Sequence, residues 1–161
     1  MRMYRTMTLL ILCTLCSLSL KASADSIFSY AEINIPFEVK VDGSWVQVIE
    51  SQEEWQSFYS AYAIRIGESD SETETAPDID FNHYTIIAGG LGAGSAARSL
   101  MIERVGDSDT TTYVSALVLQ RVGCVVLAVA TFPTIVILVP KPKNDLQFFL
   151  REATIDCGDL G

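Results

Sequence analysis

The stretch Ser51-Gln52-Glu53-Glu54-Trp55-Gln56-Ser57-Phe58-Tyr59-Ser60-Ala61-Tyr62-Ala63-Ile64-Arg65-Ile66-Gly67 decides the fold class. Trp55, Phe58, Tyr59, Tyr62 and Ile66 recur at helical spacing and form one apolar stripe. Ser51 is placed to accept from the backbone N–H near Glu54, and Glu54 to reach back to Ser51, as in a capping box. Glu53 and Glu54 also suit the positive end of the helix dipole, and Gly67 ends the pattern. An aromatic stripe of this kind is a core face, to be covered by a sheet.

Outward from that helix the period changes to two. Upstream, Phe37-Glu38-Val39-Lys40-Val41 and Trp45-Val46-Gln47-Val48-Ile49 flank Asp42-Gly43-Ser44 and predict a β-hairpin. Downstream, Tyr84–Ala88, Ser99–Val105 and Thr111–Arg121 read as strands, and Leu146–Ile155 as a closing strand with Phe148 and Phe149. Between them, Val125–Val139 reads as two buried strands around a kink at Pro133. One helix and about seven strands without βαβ alternation predict an α+β fold: a largely antiparallel β-sheet or sandwich with one amphipathic helix packed on it.

The amino terminus has a different character. Arg2 and Arg5 precede the apolar run Met7–Leu20, and Ala22-Ser23-Ala24 offers a cleavage site. The pattern predicts a secretory signal peptide over residues 1–24 and a single exported domain over 25–161, periplasmic or secreted. The run is too short to span a bilayer, and no other segment reaches spanning length uninterrupted. Cleavage removes Arg2, Arg5 and Lys21 and no acid, taking the net charge from −9 to −12. Cys13 and Cys16 leave with the signal, so Cys124 and Cys157 remain as an even pair and predict a disulfide.

A pI near 4.4 argues against nucleic-acid binding, which needs a basic face. His83 is the single histidine, which excludes a multi-histidine metal site. It is also the only imidazole base, and it lies between Asn82 and Tyr84 with no G-x-S-x-G elbow or S-x-x-K motif in the chain. We therefore expect no catalytic set, no resident metal and no cofactor. The segment Glu68–Asp80 holds six carboxylates and no basic residue, and reads as a solvated loop anchored at Phe81. Calcium is the sharper alternative, although the EF-hand spacing is not met.

The glycine cluster Gly89-Gly90-Leu91-Gly92-Ala93-Gly94-Ser95-Ala96-Ala97 contains a loose G-x-G-x-x-A pattern. A dinucleotide fingerprint opens a helix, whereas Ser99–Val105 reads as strand, so the segment is read as a strand-to-strand loop. Gly90, Leu91, Gly92, Gly94 and Ser95 are the candidate partner-binding residues on it.

One family shows a similar order of features. Glu53-Glu54-Trp55 with Phe58, Pro77-Asp78-Ile79-Asp80-Phe81-Asn82 leading into Tyr84–Ala88, Leu91-Gly92, and Phe132-Pro133-Thr134-Ile135-Val136 through Val139-Pro140-Lys141 together resemble the protease complex subunit PrcB family. The resemblance covers roughly residues 48–143. It implies a small exported, non-enzymatic domain that binds or stabilises a protease or another envelope complex. The family's Pro-Thr-Gly-Gly-aromatic turn is replaced here by Ala93-Gly94-Ser95-Ala96-Ala97, so a partner contact through that turn does not carry over. The glycine-rich turn also resembles the loop of chagasin-like cysteine-protease inhibitors. That likeness gives the alternative expectation of a direct protease inhibitor inserting residues 89–97 into an active-site cleft.

Overall fold

The computed structural model describes residues 26–62, 75–126 and 128–160. The expected signal peptide, the end of the helix at Ile66 and Gly67, and Glu68–Glu74 of the acidic segment lie outside the described residues.

The described chain runs β1 (Ser26–Ile27), β2 (Ala31–Glu32), β3 (Trp45–Ile49), α1 (Gln52–Tyr62), β4 (Tyr84–Gly90), β5 (Gly94–Ser95), β6 (Arg98–Asp107), β7 (Thr111–Val122), β8 (Ala130–Thr131), β9 (Thr134–Pro140) and β10 (Asp145–Asp156), ending in a 3-10 turn at Cys157–Leu160. One sheet has the order β1-β6-β7-β10 and the other β2-β9-β4-β3, with a short β5-β8 ladder beside them. This is the expected α+β sandwich. The ladders are antiparallel, with one exception: β10 runs parallel to β7 from Asp145/Thr111 to Asp156/Val122. A parallel pair needs a long crossover, and here the chain makes it by visiting the other sheet through β9.

The β2-β9-β4-β3 sheet is the middle layer. On one face Ile86, Ala88, Val136 and Ile49 meet Trp55, Phe58 and Tyr59 of α1. On the other, Ile87, Ile137 and Val139 meet Val105 and Val114 of the second sheet. Double coverage explains why β4 is apolar at consecutive positions rather than alternating.

The helix forms as its sequence dictates. Glu54 N–H donates to Ser51 Oγ (3.2 Å), while the Glu54 carboxylate accepts from the Glu50 N–H (2.8 Å), one residue earlier than the capping box predicts. Trp55 has no solvent exposure; it stacks on Phe58 and donates its indole N–H to the Pro77 carbonyl (3.1 Å). Gln52 and Gln56 accept from the backbone N–H groups of Ile79 and Ala76. The end of the acidic segment is therefore clasped to α1 from Ala76 onward, before Phe81 packs against the same core.

Two expectations are corrected. Phe37–Val41 does not form a strand; β3 pairs with β4 instead. Phe37 and Val39 are buried as their alternation requires, but a tight turn in which Val41 N–H donates to the Val39 carbonyl removes the backbone from a ladder. Likewise, the first half of Val125–Val139 is not a buried strand. Val125, Val126 and Val129 are exposed, and among the described residues of this half only Ala130–Thr131 joins a ladder. Cys124 is bonded to Cys157 at the end of β10, which holds this segment at the rim of the sandwich rather than between its sheets. The second half, β9, is buried as expected.

Candidate functional site

The two sheets do not close symmetrically. On one side, β1 pairs with β6 and β2 pairs with β9, and the short link between them straps the sheet edges together. Phe28 N–H donates to the Val105 carbonyl, and Phe28 and Tyr30 pack into the inter-sheet core. On the other side no strap joins β3 to β10 among the described residues, and an apolar groove of about 290 Å³ opens between the sheets.

The sequence periodicity builds its walls. From the middle layer come Val46, Ile87, Ile135 and Ile137, the faces turned away from α1. From the second sheet come Leu100, Ile102, Val114, Ala116, Phe148 and Leu150. Gly89 lies on the floor, where the missing side chain leaves room. None of the lining residues is titratable. The site can therefore capture an apolar segment by burial, but it has no group to move a proton. Its volume is at the lower edge of the usual range for ligand sites.

The groove's outer lip is β10. Phe149 and Leu150 are each about half exposed, 52% and 53%, and Phe148 is 39% exposed. Sequence reading found this strand and its two phenylalanines, but not that Phe148 and Leu150 would face the opening while Phe149 is exposed on the outer face between them. Nothing in a single sequence distinguishes Phe148-Phe149-Leu150 on an edge strand from the same run in a central one. The strand is held firmly at both ends. Asn144 donates from Nδ2 to Asp107 Oδ1 and to the Ser108 carbonyl (both 3.2 Å). At the other end the Cys124–Cys157 disulfide ties β10 to β7, with 5.1 Å between Cα atoms. On the outer face Arg151 donates to Glu103, and Glu103 also accepts from the Ser115 hydroxyl, fastening β10 across β7 to β6.

The glycine-rich segment is largely built into the frame. Gly90 and Leu91 are buried, and Leu91 N–H donates to the Pro133 carbonyl. Gly92 is buried at φ +72°, where a Cβ would lie 2.5 Å from the Gly43 nitrogen. Gly94 and Ser95 form β5 against β8. Ser95 and the neighbouring Ala93 are the exposed members. The positive φ expected of the cluster is found at Gly92, and its purpose is close approach to the Asp42-Gly43 bend.

His83 sits in the turn before β4. Its Nδ1 lies 2.7 Å from Asp80 Oδ2, and Asp80 Oδ1 accepts from the Asn82 N–H. The His83 hydrogen bond, followed by the Asn82 amide, holds the Asp80 carboxyl below its ordinary range. Both side chains are well exposed. A carboxylate kept ionised in water orients this turn and is unsuited to donate a proton. Among the described residues no group of three or more His, Cys, Asp or Glu side chains is arranged to hold a metal ion. Among them, too, no helix is long and apolar enough to cross a membrane. The disulfide is compatible with an oxidising, extracytoplasmic compartment.

Comparison of the chain with protein-family models, with curated proteins and with solved structures found no match. The likeness to the PrcB family thus rests on the order of the sequence features alone.

Proposed function

We propose that this chain is an exported, non-enzymatic accessory domain, periplasmic or secreted, that binds another protein through the groove between its sheets. The occupant is an apolar segment of an exported protease or envelope-complex subunit, in keeping with the PrcB-like order of features. The observation that carries the reading is the unstrapped side of the sandwich, where a groove lined without any titratable side chain meets the exposed Phe148 and Leu150. Burying apolar surface at about 25 cal/mol per Å² is the only strong driving force such a site supplies. The rigid fastening of β10 at both ends adds to it, since a preorganised wall loses little entropy on binding.

The direct-inhibitor reading has less support, because Gly90, Leu91 and Gly92 are committed to packing and leave only Ala93 and Ser95 to project. The test is co-purification of the mature protein from an envelope extract, followed by activity measurements on what is recovered. A stable partner whose activity is preserved or raised is expected. Recovery of no partner, together with clear turnover in a hydrolase panel, would sink the accessory reading; a slowed protease would favour the inhibitor.

A further inference from the structure

We propose that β10 is a homodimerisation edge: two copies of this chain pair β10 with β10 in antiparallel fashion and join their outer sheets into one of eight strands. The edge strands β1 and β2 are two residues long, and β3 is five. Short edges of that kind protect a sheet from further pairing. By contrast, β10 runs for 12 residues, Asp145–Asp156, and contains no proline, lysine or glycine. Its one basic residue, Arg151, donates to Glu103 on the outer face through Nη1. Asn144 and the disulfide keep the strand from fraying, so its unpaired side is a rigid template.

The sequence of β10 is complementary to itself in one register. Around a two-fold axis perpendicular to the sheet, residues of like parity face each other, so inner faces meet inner faces. With Phe148 opposite Phe148 of the second copy, Leu146 meets Leu150, and both pairs lie on the groove side. On the outer face Asp145 then meets the oppositely charged Arg151, and Gln147 meets Phe149. The ladder Asp145–Arg151 is roughly 23 Å long. Shifting the axis to Phe149 places Glu152 against Leu146, and shifting it to Leu150 places Glu152 against Phe148. At Arg151 the axis would oppose two arginines. Of these four registers only the one centred on Phe148 sets no charged residue against an apolar one and no like charges against each other. It also brings the two grooves to the same side of the joined sheet.

Sedimentation of the mature protein at high micromolar concentration tests this without any partner present. The wild type is expected at twice the chain mass. Phe148→Lys and Phe148→Asp are each expected at single mass, and an equimolar mixture of the two is expected to return to double mass. Asp145→Arg should weaken the dimer several-fold by opposing Arg151 of the second copy; Asp145 is exposed, so this variant reads the interface even if the Phe148 variants fold poorly. A wild type at single mass overturns the proposal. So does a mixture that remains monomeric from folded single variants, or an Asp145→Arg protein that dimerises as the wild type does. The outcome is independent of whether the groove binds another protein, because the wild-type mass is read in the absence of one.

Discussion

Trp55 ties the helix to the core and to the end of the acidic segment. It is fully buried, stacks on Phe58, meets Tyr59 edge-on and donates to the Pro77 carbonyl. Trp55→Ala should therefore cost about 3–5 kcal/mol, because it leaves a large cavity and an unpaired buried carbonyl. Chemical denaturation measures this directly, and a loss below about 1 kcal/mol would mean that the helix is not seated on the sheet. Two glycines make a sharper comparison. Gly43 and Gly92 both have φ near +75°, but a Cβ at Gly43 meets open space, whereas at Gly92 it collides with the Gly43 backbone. Gly43→Ala should cost about 1–2 kcal/mol, the ordinary left-handed penalty, and Gly92→Ala should cost clearly more. Equal losses would mean that the two segments do not touch. Asp80 gives a pH-dependent reading. Its folded pKa is depressed, so its contribution to stability is present above the ordinary carboxyl value of 3.8 and is lost as pH falls through the lower folded value. His83→Ala should move the Asp80 titration, followed by NMR, back toward 3.8; an unmoved titration would show that the His83 hydrogen bond is not its cause.

At the scale of elements, the disulfide and the parallel pair explain each other. β7 and β10 end side by side at Val122 and Asp156, and Cys124 and Cys157 follow immediately. Closing a loop with a sequence separation of 33 is worth roughly 3–4 kcal/mol in the chain-entropy model. Cys124→Ser should thus destabilise by about 2–5 kcal/mol, and hydrogen exchange should show β10 losing protection before β4 does. If β10 and β4 exchange together in the variant, the bridge is not what secures the edge. The cysteine pair was legible in the sequence, because the expected cleavage after Ala24 would leave two cysteines. Its parallel partner strands were not, since periodicity gives a strand's faces and not its neighbours. The same limit explains Phe37–Val41: alternation reported correctly that Phe37 and Val39 are buried, but not whether the backbone between them joins a ladder.

At the scale of the whole molecule there are three layers: an aromatic helix, a sheet apolar on both faces, and a second sheet whose outer face mixes Glu103, Ser115 and Arg151 with Met101, Leu117 and Phe149. The helix stripe, β4, β6, β7, β9 and β10 could all be read from residue patterns. The groove could not, because it is made by the difference between two sides of a sandwich, one strapped by residues 28–30 and one open between β3 and β10. Val125, Val126 and Val129 show the converse error, since an apolar run was read as buried when the bond from Cys124 to Cys157 holds it at the rim. The claim that the open side binds a protein partner is tested most directly by filling it. Ala116 lies on the groove wall in the middle of β7, so Ala116→Trp should occupy the space while leaving the helix-side core untouched. The measurement is partner recovery by wild type and Ala116→Trp from the same envelope extract, with melting temperatures as a control on folding. The account predicts that the folded variant recovers at least about tenfold less partner, equivalent to about 1.4 kcal/mol of lost binding. Recovery at the wild-type level by a folded Ala116→Trp protein would contradict it.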